Sequence, residues 1–140
     1  MRISIGCDHG GISLKAEIVP LLQEMGHEVD DKGCFAAESV DYPDFAKAVC
    51  AQVQNGECER GILICGTGVG MSMVANRFDG IRAGLCNELF TARMSREHND
   101  ANVLCLGARV VGPGLAAEIV RAWVTTEFAG GRHQRRIAMF

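Results

Sequence analysis

Gly61-Ile-Leu-Ile-Cys65, followed at once by Gly66-Thr-Gly-Val-Gly70, decides the fold of this chain of 140 residues. The first five residues show no alternation of apolar and polar side chains, the pattern of a strand covered on both faces. The glycines after it break the strand and lead into a helical stretch. Ile81–Cys86 and Val103-Leu-Cys-Leu106, the core of Asn102–Gly107, are continuous apolar runs of the same kind; Arg2–Cys7 and His27–Lys32 complete five strand candidates. Between them the period changes to that of helices. Leu14, Ile18, Leu21, Leu22 and Met25 form one stripe, Tyr42, Phe45, Ala46, Val49 and Val53 a second, and Ala116, Ile119, Val120, Trp123 and Val124 a third. Gly26 and Gly56 supply helix stops, and Pro20 is expected to kink or shorten the first helix. Shorter helices are expected after the Gly66–Gly70 loop and after Asn87. Alternation of strand and helix from end to end predicts an α/β fold: three layers, α/β/α, around a doubly wound (Rossmann-like) sheet of five parallel strands. The expected organisation is a single domain over 1–140, with 130–140 as an arginine-containing tail.

Composition narrows the function. Hydrophobic residues make up 48% and charged residues 22%, which argues against disorder, and the net charge of −3 argues against nucleic acid as a partner. No apolar run is long enough to span a membrane, and Met1-Arg-Ile-Ser-Ile5 enters a strand without the pattern of a leader. The seven cysteines are scattered and lack metal-ligand spacing. They fit a reducing, cytoplasmic setting in which most act as small core hydrophobes, with no metal and no cofactor expected.

Ligands of such sheets bind beyond the C-terminal ends of the strands. Two ends carry chemistry. The first strand runs into Gly6-Cys-Asp-His-Gly-Gly11, where Asp8 alone reads as a helix N-cap and His9 alone as a polar loop residue. Side by side among glycines, at that edge, they become binding candidates. The third strand ends in Cys65, Gly66, Thr67, Gly68, Val69 and Gly70, whose backbone N–H groups suit an anion. This loop is neither a dinucleotide fingerprint nor a Walker A motif, and the cysteine phosphatase pattern fails at Met71. Cys65, a thiol beside N–H donors at a helix start, is a candidate thiolate, whereas Cys7, Cys86 and Cys105 read as inert core residues.

Further candidates lie in Arg96-Glu-His-Asn-Asp-Ala-Asn102, in Arg109 after the fifth strand, and in the tail with Arg132, His133, Arg135 and Arg136. Charge runs are ordinarily solvated, but arginines clustered in an acidic chain also suit phosphate. Topology divides these residues. Loops entering parallel strands lie at the opposite sheet edge from loops leaving them, so His98 and Asn99 cannot easily join Cys65 of their own chain. A second subunit would have to supply them, and a symmetric dimer is the economical arrangement. The last helix also ends at that far edge, so Arg132 and Arg136 either reach a partner's site or sit on a flexible tail that wraps around its own subunit.

With Gly6-Cys-Asp-His9, Asp41-Tyr-Pro43, Gly61–Gly70, Glu97–Asn102, Gly107-Ala-Arg-Val-Val-Gly112 and Gly130–Arg136 in view, the chain closely resembles the type B ribose-5-phosphate isomerases, a family that includes galactose-6-phosphate isomerase subunits. The resemblance spans essentially the whole chain. It implies aldose–ketose isomerisation of a phosphorylated sugar through an enediolate, without a metal. Carried over, Cys65 is the base that moves a proton between C1 and C2; some relatives use a glutamate where this chain has Met71. Thr67 and the amides of Gly66, Gly68, Val69 and Gly70 bind the developing oxyanion. His98, with Asp8, assists ring opening, and Asn99 holds substrate hydroxyls. His9, Arg109, Arg132 and Arg136 grip the phosphate, and Tyr42 lines the sugar pocket. The implied assembly is a homodimer with shared sites, or a tetramer, acting on a phosphorylated aldose or ketose.

Ribose 5-phosphate is the expected substrate, from the family's commonest activity. Galactose 6-phosphate, allose 6-phosphate and erythrose 4-phosphate remain alternatives, with Tyr42 and the Cys34–Ser39 loop expected to set sugar length. A flavodoxin-like nucleotide- or flavin-binding module would fit the sheet but leave Cys65 and His98 idle. A non-catalytic assembly subunit would not require the full set of candidate residues.

Overall fold

The computed structural model describes residues 1–140. Its five strands are β1 (Arg2–Cys7), β2 (Glu28–Asp31), β3 (Arg60–Cys65), β4 (Ala83–Leu85) and β5 (Val103–Gly107). All pair in parallel, in the order β2-β1-β3-β5-β4. The helices are α1 (Ile12–Glu24), α2 (Tyr42–Gln54), α3 (Val69–Ala75), α4 (Leu89–Glu97), α5 (Pro113–Thr125) and α6 (Arg132–Ile137). The expected doubly wound parallel sheet is therefore observed. Two strands, β2 and β4, are shorter than the stretches His27–Lys32 and Ile81–Cys86 expected for them. The His27 N–H is spent on Leu22 O at the end of α1, Ile81 donates to Phe78 O, and Arg82 donates to the Asn102 side chain, so these residues do not join the ladder.

Alternating side chains sort the core into two faces. Ile3, Ile5, Cys7, Ile62, Ile64, Leu104 and Leu106 pack under α1, α4 and α5, with Trp123 fully buried among them. Leu63, Cys65, Val103 and Cys105 face the other way, against α2 and α3. Burial of each large aliphatic side chain contributes about 1.5–3 kcal/mol. Pro20 does not shorten α1, which continues to Glu24. Pro20 and Ala16, the residue whose carbonyl loses its donor, are both exposed, so water can satisfy that carbonyl. At the sheet's free edge the Asn76 amide donates to Ala83 O at 3.0 Å and accepts from Ala83 N–H at 2.8 Å, covering the short strand β4.

Connections leave β1 and β3 toward opposite edges of the sheet. The crevice beyond their C-terminal ends is thus the switch point at which such folds bind ligands. The segment after β2 covers one side of it and is pinned there. Lys15, buried, donates to Asp31 at 2.6 Å, and Asp31 accepts the Gly33 N–H at 2.9 Å. Gly33 and Cys34 then exchange backbone hydrogen bonds with Cys7. The tail differs from an extended arm. Residues Arg132–Ile137 are helical, Ile137 is buried, and the Ala129 N–H bonds Glu97 O, which roots the segment beside the end of α4.

Candidate active site

At the end of β1, Asp8 does act as a cap, its carboxylate accepting the Gly10 N–H at 2.8 Å while its own N–H bonds Ile64 O across to β3. Asp8 is only 9% exposed. The Val40 N–H donates to His9 Nδ1 at 3.2 Å, so the proton of the neutral ring sits on Nε2, away from that contact. A Cβ at Gly10 would lie 3.5 Å from Gly66 N, so the two glycine loops are in direct apposition.

β3 ends with the Cys65 sulfur 3.0 Å from the Gly68 N–H, which donates to it. Gly68 holds φ +76°, and a Cβ there would stand 2.5 Å from Leu85 and 3.0 Å from the Leu106 carbonyl carbon. Only glycine fits the turn that aims this N–H at the sulfur. Cys65 is buried, 6% exposed, where β3 meets the loop. Burial pushes the Cys7 thiol up to about 11, Cys50 up to about 12 and Cys105 well above its ordinary range. Cys86 is raised by burial too, so the expected inertness of Cys7, Cys86 and Cys105 has a physical cause.

The rest of this half surrounds the loop. Thr67 is exposed, its hydroxyl accepting the Val69 N–H. β5 ends against the same turn, with Ala108 and Arg109 N–H groups bonding Cys65 O and Gly66 O. The Arg109 side chain lies over Gly66, 3.5 Å from where a Cβ would be. Tyr42, at the start of α2, rests its ring on Gly70 at 2.7 Å from the corresponding point. Asp8, His9, Tyr42, Cys65, Thr67 and Arg109 therefore converge on one crevice.

His98, Asn99, Arg132 and Arg136 do not join them. His98 terminates α4 at the opposite edge of the sheet. The β3–β5 register, Gly61 with Val103 and Cys65 with Gly107, puts four residues, about 13 Å of strand, between the two edges. The His98 ring stacks on His133, with centroids 4.2 Å apart and planes 9° from parallel. Sequence reading missed this pairing: the residues are far apart in the chain, and His133 looked like one more polar residue among arginines. Desolvation first, then the charges of His98, Arg132 and Arg136, hold His133 below its ordinary value. Arg109, Arg132 and Arg136 are exposed and pair with no carboxylate, which leaves all three available to an anion.

Comparison with known proteins gives a consistent result. The family model described as Ribose/Galactose Isomerase matches residues 3–140. Ribose-5-phosphate isomerase B of Escherichia coli (strain K12) is 54% identical over 136 residues, covering 97% of this chain and 91% of that protein. D-erythrulose-4-phosphate isomerase of Pectobacterium atrosepticum is 45% identical over 132 residues, 94% of this chain and 87% of that one. The solved structure of ribose-5-phosphate isomerase B from Clostridium thermocellum superposes with a TM-score of 0.98 at 56% identity, covering 99% of this chain and 94% of its own.

Proposed function

The chain belongs to the ribose/galactose isomerase family, aldose–ketose isomerases of phosphorylated sugars, and from that premise we propose that it interconverts ribose 5-phosphate and ribulose 5-phosphate with Cys65 as the base. The observation that carries this reading is the Cys65 sulfur at the end of β3, 3.0 Å from the Gly68 N–H that donates to it.

The chemistry runs in two stages. The furanose ring opens as His98 gives a proton to the ring oxygen and Asp8 accepts the proton of the C1 hydroxyl. Ionised Cys65 then removes the proton from C2, and the electron pair forms the C1–C2 double bond of an enediolate with negative charge on O1. Thr67 and the loop amides of Gly66 and Gly70 donate to that oxygen, joined by the Gly68 N–H once the sulfur is a neutral thiol and by the Val69 N–H as the Thr67 hydroxyl turns to the substrate, the stabilisation that such intermediates need. The thiol exchanges its hydrogen with solvent and delivers a proton to C1, the proton on O2 passes to O1, and a ketone remains at C2. His9 and Arg109 hold the phosphate from one chain.

His98, Asn99, Arg132 and Arg136 come from a second copy. The separation of the two groups within one chain supports a symmetric dimer in which each crevice is completed by the partner's α4 end and α6. Mixing Cys65→Ala chains with His98→Asn chains under subunit exchange restores up to about a quarter of wild-type activity on this reading, because one of the two sites in each mixed dimer is intact. No recovery despite exchange refutes it.

The similarity to an erythrulose-phosphate isomerase supports a second reading, the same chemistry on a sugar of another length, with Tyr42 and the Cys34–Ser39 segment as the walls. Assays over four-, five- and six-carbon aldose phosphates decide between them. Ribose 5-phosphate is expected to give the highest kcat/KM, and a higher value for another sugar overturns that assignment.

A further inference from the structure

α4 ends in a conformation that ordinarily belongs to glycine. Asp100 has φ +46°, the one non-glycine residue of the chain in the left-handed region. Its N–H bonds Arg96 O at 3.0 Å, and the next N–H, of Ala101, bonds Ser95 O at 2.9 Å. Glycine is the usual choice at such a helix end. Here an aspartate is held in place by two arginines, one from each side. Arg96 Nη1 donates to Asp100 Oδ1 at 2.8 Å and to Ala101 O at 2.6 Å, and Arg82 Nη2 donates to Asp100 Oδ2 at 3.1 Å. Arg82 also donates to the carbonyl oxygens of Asn99, at 3.0 Å, and Asp100. Arg96 is 5% exposed and reaches Thr126 O at 3.3 Å, at the root of the segment that carries His133 and Arg132. His98 and Asn99 lie between the two fixed points, Arg96 and Asp100.

We propose that Asp100, clamped between Arg82 and Arg96, is a positioning residue for ring opening: it fixes the direction in which His98 and Asn99 leave α4 and couples it to the segment whose His133 ring stacks on His98. The proposal deepens the functional reading above and rests on His98 serving the sugar ring. A glycine at this place would satisfy the backbone but leave the turn free to sample other directions. The carboxylate between two guanidinium groups removes that freedom, and small displacements of a proton-transfer group are costly to rate.

The test exploits a difference between the two sugars. Ribose 5-phosphate arrives as a furanose, closed through its C4 hydroxyl. Ribulose 5-phosphate cannot close, because the oxygen its ring would need carries the phosphate. Ring opening therefore burdens the aldose-to-ketose direction, while the reverse reaction releases an open aldose that closes in water. Initial rates are measured in both directions for His98→Asn, Asp100→Asn and Asp100→Gly. Asparagine and glycine both tolerate the left-handed backbone, so the fold is preserved and the clamp alone is lost. Asp100→Asn and Asp100→Gly are expected to lower kcat for ribose 5-phosphate about 10-fold while that for ribulose 5-phosphate changes less than about 2-fold. A purely structural role lowers both directions together, and that result, or wild-type rates in both, overturns the proposal. If His98→Asn itself shows no such asymmetry, the ring-opening reading fails; if His98→Asn is asymmetric and the Asp100 variants are not, only the clamp fails.

Discussion

Gly68→Ala probes the point where the fold meets the chemistry. The residue holds φ +76°, where an L-side chain costs about 1–2 kcal/mol. The new Cβ would also stand 2.5 Å from Leu85 Cδ1, which can move, and 3.0 Å from the Leu106 carbonyl carbon, which belongs to β5 and cannot move easily. Together these place the distortion at about 2–4 kcal/mol if the loop keeps its shape. If the loop shifts instead, the N–H now 3.0 Å from the Cys65 sulfur is withdrawn along with its neighbours. Loss of one preorganised donor costs about 100- to 1000-fold in kcat. The variant must show one loss or the other, or a share of each. Gly66→Ala is the control: its Cβ would meet only the Arg109 side chain, at 3.5–3.6 Å, and its stability should lie within about 0.5 kcal/mol of wild type. Urea denaturation and steady-state turnover on the same preparations read both quantities. A Gly68→Ala protein with wild-type stability and wild-type kcat would refute the claim that this turn is built for that N–H.

Gly70→Ala puts a Cβ 2.7 Å from the Tyr42 ring, which is 38% exposed and can swing away; KM should rise about 3- to 10-fold with a stability change below about 1 kcal/mol, and an unchanged KM removes Tyr42 from the pocket wall. Asp30 is held below the usual carboxylate range, chiefly by the hydrogen bond from Gln52 at 2.7 Å and then by Lys32. A depressed folded value means stability that is full above about pH 4 and lost as pH falls through the folded value. Asp30→Asn should therefore be less stable than wild type at neutral pH, with the gap closing in acid; a gap independent of pH contradicts the assignment. Iodoacetamide at neutral pH should modify native Cys65, with protection by substrate, and spare Cys7 and Cys50, which burial keeps as thiols. Peptide mapping that finds Cys7 or Cys50 labelled at the rate of Cys65 contradicts this.

The architecture was legible because buried parallel strands have few sequence patterns open to them. Gly61–Cys65 and Val103–Leu106 had to be apolar on both faces, and the glycines after β3 had to accommodate Leu85, Leu106 and Tyr42. The separation of His98 from Cys65 was equally legible, since it follows from strand direction alone. What escaped were features made by contacts between distant segments. The stack of His98 on His133 depends on the backbone bond from Ala129 to Glu97, and the restraint of Asp100 depends on Arg82, outside its own helix. Neither leaves a periodic trace. Strand ends were misplaced where N–H groups found partners outside the ladder, as at Ile81 and Arg82. Pro20 did not shorten α1, because an exposed helix face lets water replace the missing bond.

The most direct measurement follows hydrogen at carbon. Turnover of ribose 5-phosphate in heavy water, stopped early and read by mass spectrometry and proton NMR, should place solvent deuterium at C1 of the ribulose 5-phosphate formed, and Cys65→Ala should form no labelled ketose while still folding and binding the sugar phosphate. Ketose formed by the wild type with no deuterium at C1 would indicate a hydride shift, and labelled ketose formed at full rate without the Cys65 sulfur would assign the base elsewhere; either result contradicts proton transfer through an enediolate at the end of β3.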